Sequence, residues 1–285
     1  MFVPRKIVED RLKQILAEDI GQGDVTAGAI IPSGLTVKAI VVAKETGIIA
    51  GIEESVILSE CLGLTVKPQV TDGEEIKSKQ VIMQISGDAQ TILCVERTLL
   101  NLLSRMSGIA TTTRSLTQKL KRASSKAKIA ATRKSAPGLL YFDKKAVIIG
   151  NGDSHRLHLD DMVLIKDNHI AIVGSAEEAV KKAKASVSFS KKIEVEVTKA
   201  TDALKVAEAG ADIIMLDNFS PKQVKETVDL LKRAGFFGKV LLEVSGGINS
   251  ENLLEYAASQ VDIISLGELT HSVKALDISL EIIKK

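Results

Sequence analysis

Residues 193–218 read IEVEVTKATDALKVAEAGADIIMLDN. Two apolar, β-rich runs flank a helix-like stretch, and the second run ends in Asp217-Asn218. The same rhythm extends in both directions. Residues 129–131 run into Thr132-Arg133-Lys134, and residues 162–165 into Lys166-Asp167-Asn168-His169. Residues 240–244 end in Ser245-Gly246-Gly247, and residues 263–266 in Gly267. A chain that repeatedly sets polar groups at the C-terminal ends of parallel strands predicts a β/α barrel with its active site at that mouth. The end groups pass from cations through carboxylates to glycine loops. That order suggests a polyanionic, phosphorylated substrate and a metal ion.

Upstream the pattern differs. Residues 8–17 read as an amphipathic helix, followed by a turn-rich segment over residues 18–26. Residues 35–87 carry short strands between glycine turns, with Thr71-Asp72-Gly73 as a turn signal. This predicts a small α/β domain built mostly from antiparallel strands. Residues 91–120 are helical in pattern, with Ile92, Val95, Leu99, Leu102 and Leu103 on one face and a break at Ser107-Gly108. Residues 273–283 read as amphipathic. The expected division is a first domain over residues 1–112, a barrel over residues 113–272, and a last helix, 273–285, packing back on the first domain.

With 285 residues, 45% hydrophobic and 26% charged, the chain can bury one large core or two modest ones. Aromatic residues are 3%, Trp is absent and the net charge is +2. That composition lacks both the stacking platforms and the basic excess of a nucleic-acid binder. The start, Met1-Phe2-Val3-Pro4-Arg5-Lys6, has no signal-peptide apolar run, and no segment stays apolar long enough to span a bilayer. A cytoplasmic protein without a membrane partner is expected. Cys61 and Cys94 read as two buried free thiols in a reducing compartment.

Glu194 and Glu196 are two apart in a strand and so share a face. In a barrel strand they would point inward, with Val195 and Val197 toward the surrounding helices. A carboxylate there needs a cation, hydrogen bonds or water. Asp217, ending the next strand, is placed to meet Glu196 across the mouth, and two such carboxylates can hold magnesium. Salt bridges to nearby lysines are the competing reading. Arg133, Lys134, His155, Arg156 and Lys166 fall in one stretch and would repel one another without bound anions. Arginine suits carboxylates and lysine suits phosphate oxygens, so a substrate carrying both is expected, against the alternative of a solvated basic face. Ser245-Gly246-Gly247 before a helix at residues 251–258, and Gly267 before residues 268–272, suit a phosphate held by backbone N–H groups after the last two strands. A zinc site at His155, His158 and His169 is disfavoured, because none has a strand-compatible pairing with cysteine or carboxylate ligands.

At these residues the chain resembles the quinolinate phosphoribosyltransferase family (nicotinate-nucleotide pyrophosphorylase, carboxylating). The matching motifs run nearly end to end. They begin with Glu18-Asp19, Gly21, Gly23-Asp24 and Thr26, then Glu96-Arg97-Thr98, Asn101, Arg105 and Ser107-Gly108-Ile109-Ala110-Thr111. Thr132-Arg133-Lys134, Pro137-Gly138-Leu139, His155-Arg156 and the run from Leu164 to His169 follow. Glu194-Val195-Glu196, Leu216-Asp217-Asn218, the run from Glu243 to Gly247 and Thr270-His271-Ser272 complete the set.

The resemblance implies an α/β fold: an open, incomplete β/α barrel with a smaller α/β sandwich domain. It implies transfer of the phosphoribosyl group of phosphoribosyl pyrophosphate to quinolinate, with Mg2+, giving nicotinate mononucleotide, pyrophosphate and CO2 in NAD biosynthesis. By the same resemblance Arg133, His155 and Arg156 bind the quinolinate carboxylates, and Lys134 and Lys166 lie between quinolinate and pyrophosphate. Glu196 and Asp217 bind the ribose hydroxyls and magnesium. Ser245, Gly246, Gly247, Gly267 and His271 form the 5′-phosphate cradle. A homodimer or hexamer (a trimer of dimers) is implied, with Arg105 reaching the site of the neighbouring subunit. The chain departs from the family pattern at Ser135 (usually Thr), Leu140 (usually Arg) and Asn151, the middle of what is usually a triple glycine. The competing readings are a molybdenum-transport homologue, a nicotinate phosphoribosyltransferase and a non-catalytic phosphate-ligand binding protein. The intact run from Lys166 to His169, the two-carboxylate clamp, and Glu196 with Asp217 argue against these in turn.

Overall fold

A computed structural model describes residues 3–283; Met1 and Phe2, and Lys284 and Lys285 of the expected last helix, lie outside the described residues. Helix α1 (Arg5–Ile20) buries Val8, Leu12 and Leu16, one residue per turn on a single face. The carboxylate of Asp24 accepts the N–H groups of Thr26 and Ala27 and starts α2 (Val25–Ile30). There follow β1 (Thr36–Ala43), β2 (Gly47–Ile48), α3 (Ile52–Glu60), β3 (Thr65–Pro68), β4 (Glu75–Ile76) and β5 (Val81–Asp88). Helix α4 (Ala89–Arg122) runs unbroken for 34 residues, through the expected break at Ser107-Gly108. Gly108 answers to packing: a Cβ there would lie 2.2 Å from the Lys274 carbonyl oxygen. The chain continues through β6 (Lys128–Ala130), α5 (Leu140–Ile149), β7 (Val163–Ile165), α6 (Asp167–Val173), α7 (Ala176–Ser186) and β8 (Ile193–Val197). It ends with α8 (Ala200–Ala209), β9 (Ile213–Asp217), α9 (Pro221–Arg233), β10 (Leu241–Ser245), α10 (Leu253–Ala257), β11 (Ile263–Ser265), α11 (Glu268–His271) and β12 (Ile278–Ile282).

These elements form two compact units. The first comprises the chain up to Arg114, Tyr141–Asn151 and the stretch from Val273 onward. It therefore takes up most of α5, which the expected division gave to the barrel. Its main sheet has the order β12-β1-β5-β3, with β1 antiparallel to both neighbours. Within the expected helix over residues 273–285, Ile278–Ile282 instead form β12, paired from Ala43↔Ile278 to Ala39↔Ile282. Leu276, Ile278, Leu280 and Ile282 recur every second residue, which is the strand period. Asp72, in the predicted turn, accepts the N–H groups of Gly51 and Ile52. Cys61 and Cys94 are free but partly exposed rather than buried, and partial burial raises both thiols above their ordinary range.

The first unit also buries charge. Asp143 on α5 is fully inaccessible and accepts two hydrogen bonds from Arg105 on α4, Nε at 2.7 Å and Nη2 at 2.8 Å. Lys145 reaches the N-terminal turn of α3, pairing with Glu53 and, at 2.6 Å, with buried Glu54. A bidentate arginine–carboxylate pair is the geometry that best tolerates burial.

The second unit holds the six-stranded parallel sheet, in the order β6-β11-β10-β9-β8-β7. An isolated parallel bridge joins Ala130 to Asp153 beyond β6, while β7 pairs with β8 alone among the described strands. The result is an open, incomplete β/α barrel. Register across it is continuous: Leu164↔Glu194, Glu196↔Met215 and Asp217↔Ser245. Strand β8 packs against α7 and α8, with Val195 and Val197 buried. Among the described residues no helix is long and apolar enough to cross a membrane.

Candidate active site

The C-terminal strand ends surround a cavity of about 590 Å3, within the usual range for small-ligand sites. Its wall includes Arg133, Lys134, His155, Arg156, Lys166, Glu196, Asp217, Ser245, Gly246 and Gly247, ten of the sequence-predicted site residues. The expectation for β8 splits in two. Glu196 lines the cavity and ion-pairs with Lys166. Glu194, one pleat deeper, is fully buried and does not line the cavity. The lysine salt bridge and the cavity carboxylate are thus the same residue.

Local backbone chemistry fixes each group. The N–H of Lys166 donates to Nδ1 of His169 at 2.9 Å, closing the first turn of α6. Asp217 accepts from Nδ2 of Asn218 at 2.9 Å, and the Asn218 N–H donates to the Ser245 carbonyl at 2.9 Å. The next residue, Gly246, has φ of 91°, and a Cβ there would sit 2.2 Å from Oδ1 of Asn218. Only glycine permits that approach. The helix after this loop is short, α10 spanning five residues from Leu253, where a longer one from residue 251 was expected. The loop itself, rather than a helix terminus, lines the cavity here.

Lys134 is exposed, but its main chain is pinned: its N–H donates to Oγ1 of Thr132 at 3.2 Å and its carbonyl accepts from Oγ1 of buried Thr270 at 2.8 Å. Gly267 and His271 meet at the same place. A Cβ on Gly267 would lie 2.9 Å from the His271 ring and 3.2 Å from Cδ of Lys134. Arg105 belongs to the first unit, on α4, where it pairs with Asp143. Asn151, the departure from a glycine triplet, has φ of 68°; asparagine is among the residues that accept this left-handed conformation.

His155 is the centre of a cluster that the sequence reading missed. Its backbone is left-handed, φ 53°, with its N–H held by Oδ1 of Asp153 at 2.8 Å. Nε2 lies 3.2 Å from Oε2 of Glu243 and 3.3 Å from Oε2 of Glu194, and both carboxylates are wholly inaccessible. Hydrogen-bond geometry favours Glu243, with Oε2 of Glu194 at ion-pair distance; among the described residues neither oxygen of Glu194 nor Oε1 of Glu243 meets hydrogen-bond geometry. Burial by itself would lower the imidazole, but its contacts with Glu194 and Glu243 outweigh that and raise it to about 10. Burial pushes the Glu194 carboxyl up. Arg156 is lowered by burial and by its neighbour Arg133. The expectation that no histidine pairs with carboxylates is therefore corrected for His155. This is the only metal-type grouping of ligand atoms among the described residues, while His158 and His169 are exposed. The signal for Glu243 was an ionisable residue inside an apolar strand, as for Glu194.

An open barrel whose mouth gathers cations, carboxylates and glycine loops in one cavity defines an enzyme class that handles polyanionic, phosphorylated substrates. Sequence comparison makes the class particular. Residues 24–107 match the N-terminal domain of quinolinate phosphoribosyl transferase, and residues 109–281 match its C-terminal domain. The chain belongs to the quinolinate phosphoribosyltransferase family. It is 49% identical over 276 residues to a probable nicotinate-nucleotide pyrophosphorylase [carboxylating] of Methanocaldococcus jannaschii, covering 96% of each. Identity to the protein of that description from Methanothermobacter thermautotrophicus is 45% over 273 residues, covering 96% of this chain and 98% of the relative. The structure of the nicotinate-nucleotide pyrophosphorylase from Francisella tularensis superposes with a TM-score of 0.90 at 36% identity, over 99% of this chain and 98% of that one.

Proposed function

We infer that this chain is a quinolinate phosphoribosyltransferase (decarboxylating). It transfers the phosphoribosyl group of phosphoribosyl pyrophosphate to quinolinate and releases pyrophosphate and CO2, leaving nicotinate mononucleotide for NAD biosynthesis. The observation that carries this reading is one cavity lined by Arg133, Lys134, His155, Arg156 and Lys166 together with Glu196, Asp217 and the Ser245-Gly246-Gly247 loop. Arg133, His155 and Arg156 hold the two quinolinate carboxylates and aim the ring nitrogen at the anomeric carbon, a positioning contribution. Lys134 and Lys166 face the departing pyrophosphate and neutralise its growing charge. To do so, Lys166 exchanges its partner Glu196 for a substrate anion. Ser245, Gly246, Gly247, Gly267 and His271 hold the 5′-phosphate. Once ribosylated, the ring nitrogen is cationic and stabilises the electron pair left on the adjacent ring carbon when its carboxylate departs as CO2; that carbon then takes up a proton from water to give nicotinate mononucleotide. No covalent nucleophile is required.

Glu196 and Asp217 bind the ribose hydroxyls and would also hold Mg2+. Both line the cavity and offer carboxylate oxygens, the donor type that magnesium prefers. The ion supplies Lewis-acid neutralisation of the pyrophosphate when bound. We assign a homodimer, or a trimer of such dimers, in which Arg105 completes the quinolinate site of the partner; the family motif supports this. Free Cys61 and Cys94 are compatible with the reducing cytoplasm we assign. The test is purified protein with quinolinate, phosphoribosyl pyrophosphate and magnesium, followed by CO2 release. Stoichiometric CO2 and nicotinate mononucleotide are expected; absence of both from folded protein overturns the reading.

A further inference from the structure

Among the described residues of the second unit, those assigned above to the substrates leave two buried ionisable groups without a role, Glu194 and Glu243. Both are fully inaccessible, both sit inside apolar strands, and both reach the same ring atom, Nε2 of His155. Burying a carboxylate without full hydrogen bonding is costly, and three of their four oxygens have no hydrogen-bond partner among the described residues. A chain that needed only a packed barrel floor would place apolar residues there. The cost is explicable if the carboxylates act on His155.

We propose that Glu194 and Glu243 are positioning residues: they fix the Nε2–H of His155 between them and thereby present Nδ1–H as a donor to an acidic aromatic substrate. Three further observations support this. His155 holds a left-handed backbone conformation, an uncommon state for a non-glycine residue that surrounding contacts must maintain. With Nε2 committed, Nδ1 is the ring nitrogen that has no partner among the described residues. His155 and Arg156 also line a second cavity of about 560 Å3, at the end of the barrel where Lys128, Ile213, Leu241 and Ile263 begin or precede their strands, so this pair is the wall common to both cavities. Glu243 reaches the wall of the substrate cavity beside His155, whereas Glu194 holds the ring from beneath that wall.

Charge is consistent with that role. The groups facing the ring are Glu194 from β8 and Glu243 from β10, with Asp153 on its own backbone N–H and the charge of Arg156 acting on Glu194. Lys128, Asp161, Lys192 and Asp262 share the second cavity with it. The balance raises the imidazole, so both ring nitrogens carry protons at neutral pH and Nδ1 donates. A charge-assisted donor is roughly twice as strong as a neutral one toward a carboxylate.

The proposal rests on the assignment of quinolinate as substrate, so its test separates the two. Glu243→Gln should raise KM for quinolinate about 10-fold or more, the scale of one charge-assisted hydrogen bond, while KM for phosphoribosyl pyrophosphate stays within about twofold. In a His155→Ala background the same substitution should have no further effect. Glu194→Gln provides the second variant if Glu243→Gln does not fold. NMR of 15N-labelled wild-type protein, which needs no variant, should show His155 doubly protonated from pH 6 to 8 and its Nδ1 resonance shifting on addition of quinolinate. Additive effects of Glu243→Gln and His155→Ala, an unchanged quinolinate KM in folded Glu243→Gln protein, or a neutral His155 at pH 7 would each overturn the proposal. So would a stoichiometric divalent cation in purified protein that His155→Ala removes, since the cluster would then be a metal centre. If wild-type protein turns over no quinolinate, the functional assignment fails, while the protonation state of His155 still decides whether the carboxylates hold the ring.

Discussion

Removing Arg105 should destabilise the first unit before it says anything about catalysis. Asp143 is 0% exposed, and the Arg105 side chain is 23% exposed. The guanidinium supplies two hydrogen bonds, at 2.7 and 2.8 Å, both charge-assisted. Each such bond contributes about 1.5–3 kcal/mol, and breaking one side of a buried ion pair costs about 3–5 kcal/mol, because the remaining charge is stranded. Partial exposure of the guanidinium argues for the lower end, so Arg105→Ala is expected to lose about 3 kcal/mol in urea denaturation. Asp143→Asn keeps the shape and should cost less. The double variant Arg105→Met/Asp143→Leu removes both charges and should recover most of the loss. An Arg105→Ala protein within about 0.5 kcal/mol of wild type would refute the reasoning. Activity must therefore be compared under conditions where both proteins are folded. Otherwise a fold defect would pass for the loss of a substrate ligand proposed to act across a dimer.

Three further outcomes follow from the site. Glu196→Gln and Asp217→Asn should each reduce turnover sharply at limiting magnesium with an unchanged circular dichroism spectrum; near wild-type rates in both would remove their proposed role. A clamp built for two carboxylates should discriminate quinolinate from nicotinate by roughly 10–100-fold, since one charge-assisted contact is lost, and similar turnover of the two acids would count against it. Gly246→Ala places a methyl group where Oδ1 of Asn218 already stands, 2.2 Å away, on a backbone with φ of 91°. It should raise KM for phosphoribosyl pyrophosphate more than KM for quinolinate, measured by initial rates.

Much of the barrel was legible because strand-end chemistry is local. An apolar run followed by Lys166, by Asp217 or by Ser245-Gly246 announces itself, and each of those residues lines the cavity. Features set by tertiary contact were not legible. Gly108 looks like a helix break but answers to the Lys274 carbonyl oxygen. Glu194 and Glu196 share a strand face, yet their depth along the barrel separates them, and sequence spacing has no measure of depth. The partners of His155 arrive from β8 and β10, 39 and 88 positions onward in the numbering. Residues 273–283 were misread despite a legible signal: the alternation of Leu276, Ile278, Leu280 and Ile282 fits a strand better than a helix.

That last strand bears on how the polypeptide is made. Lys44 and Glu281, 237 positions apart in sequence, form an ion pair alongside the pairing of β1 with β12. A nascent chain emerging from the ribosome exposes β1 early, with one edge unoccupied until every barrel strand has been translated. Pairings this remote in sequence are slow to form, and an open β edge invites a foreign strand. Translation speed and chaperone holding during that interval should therefore govern the yield of native protein, and a β12 peptide supplied in trans would compete for the same vacant edge.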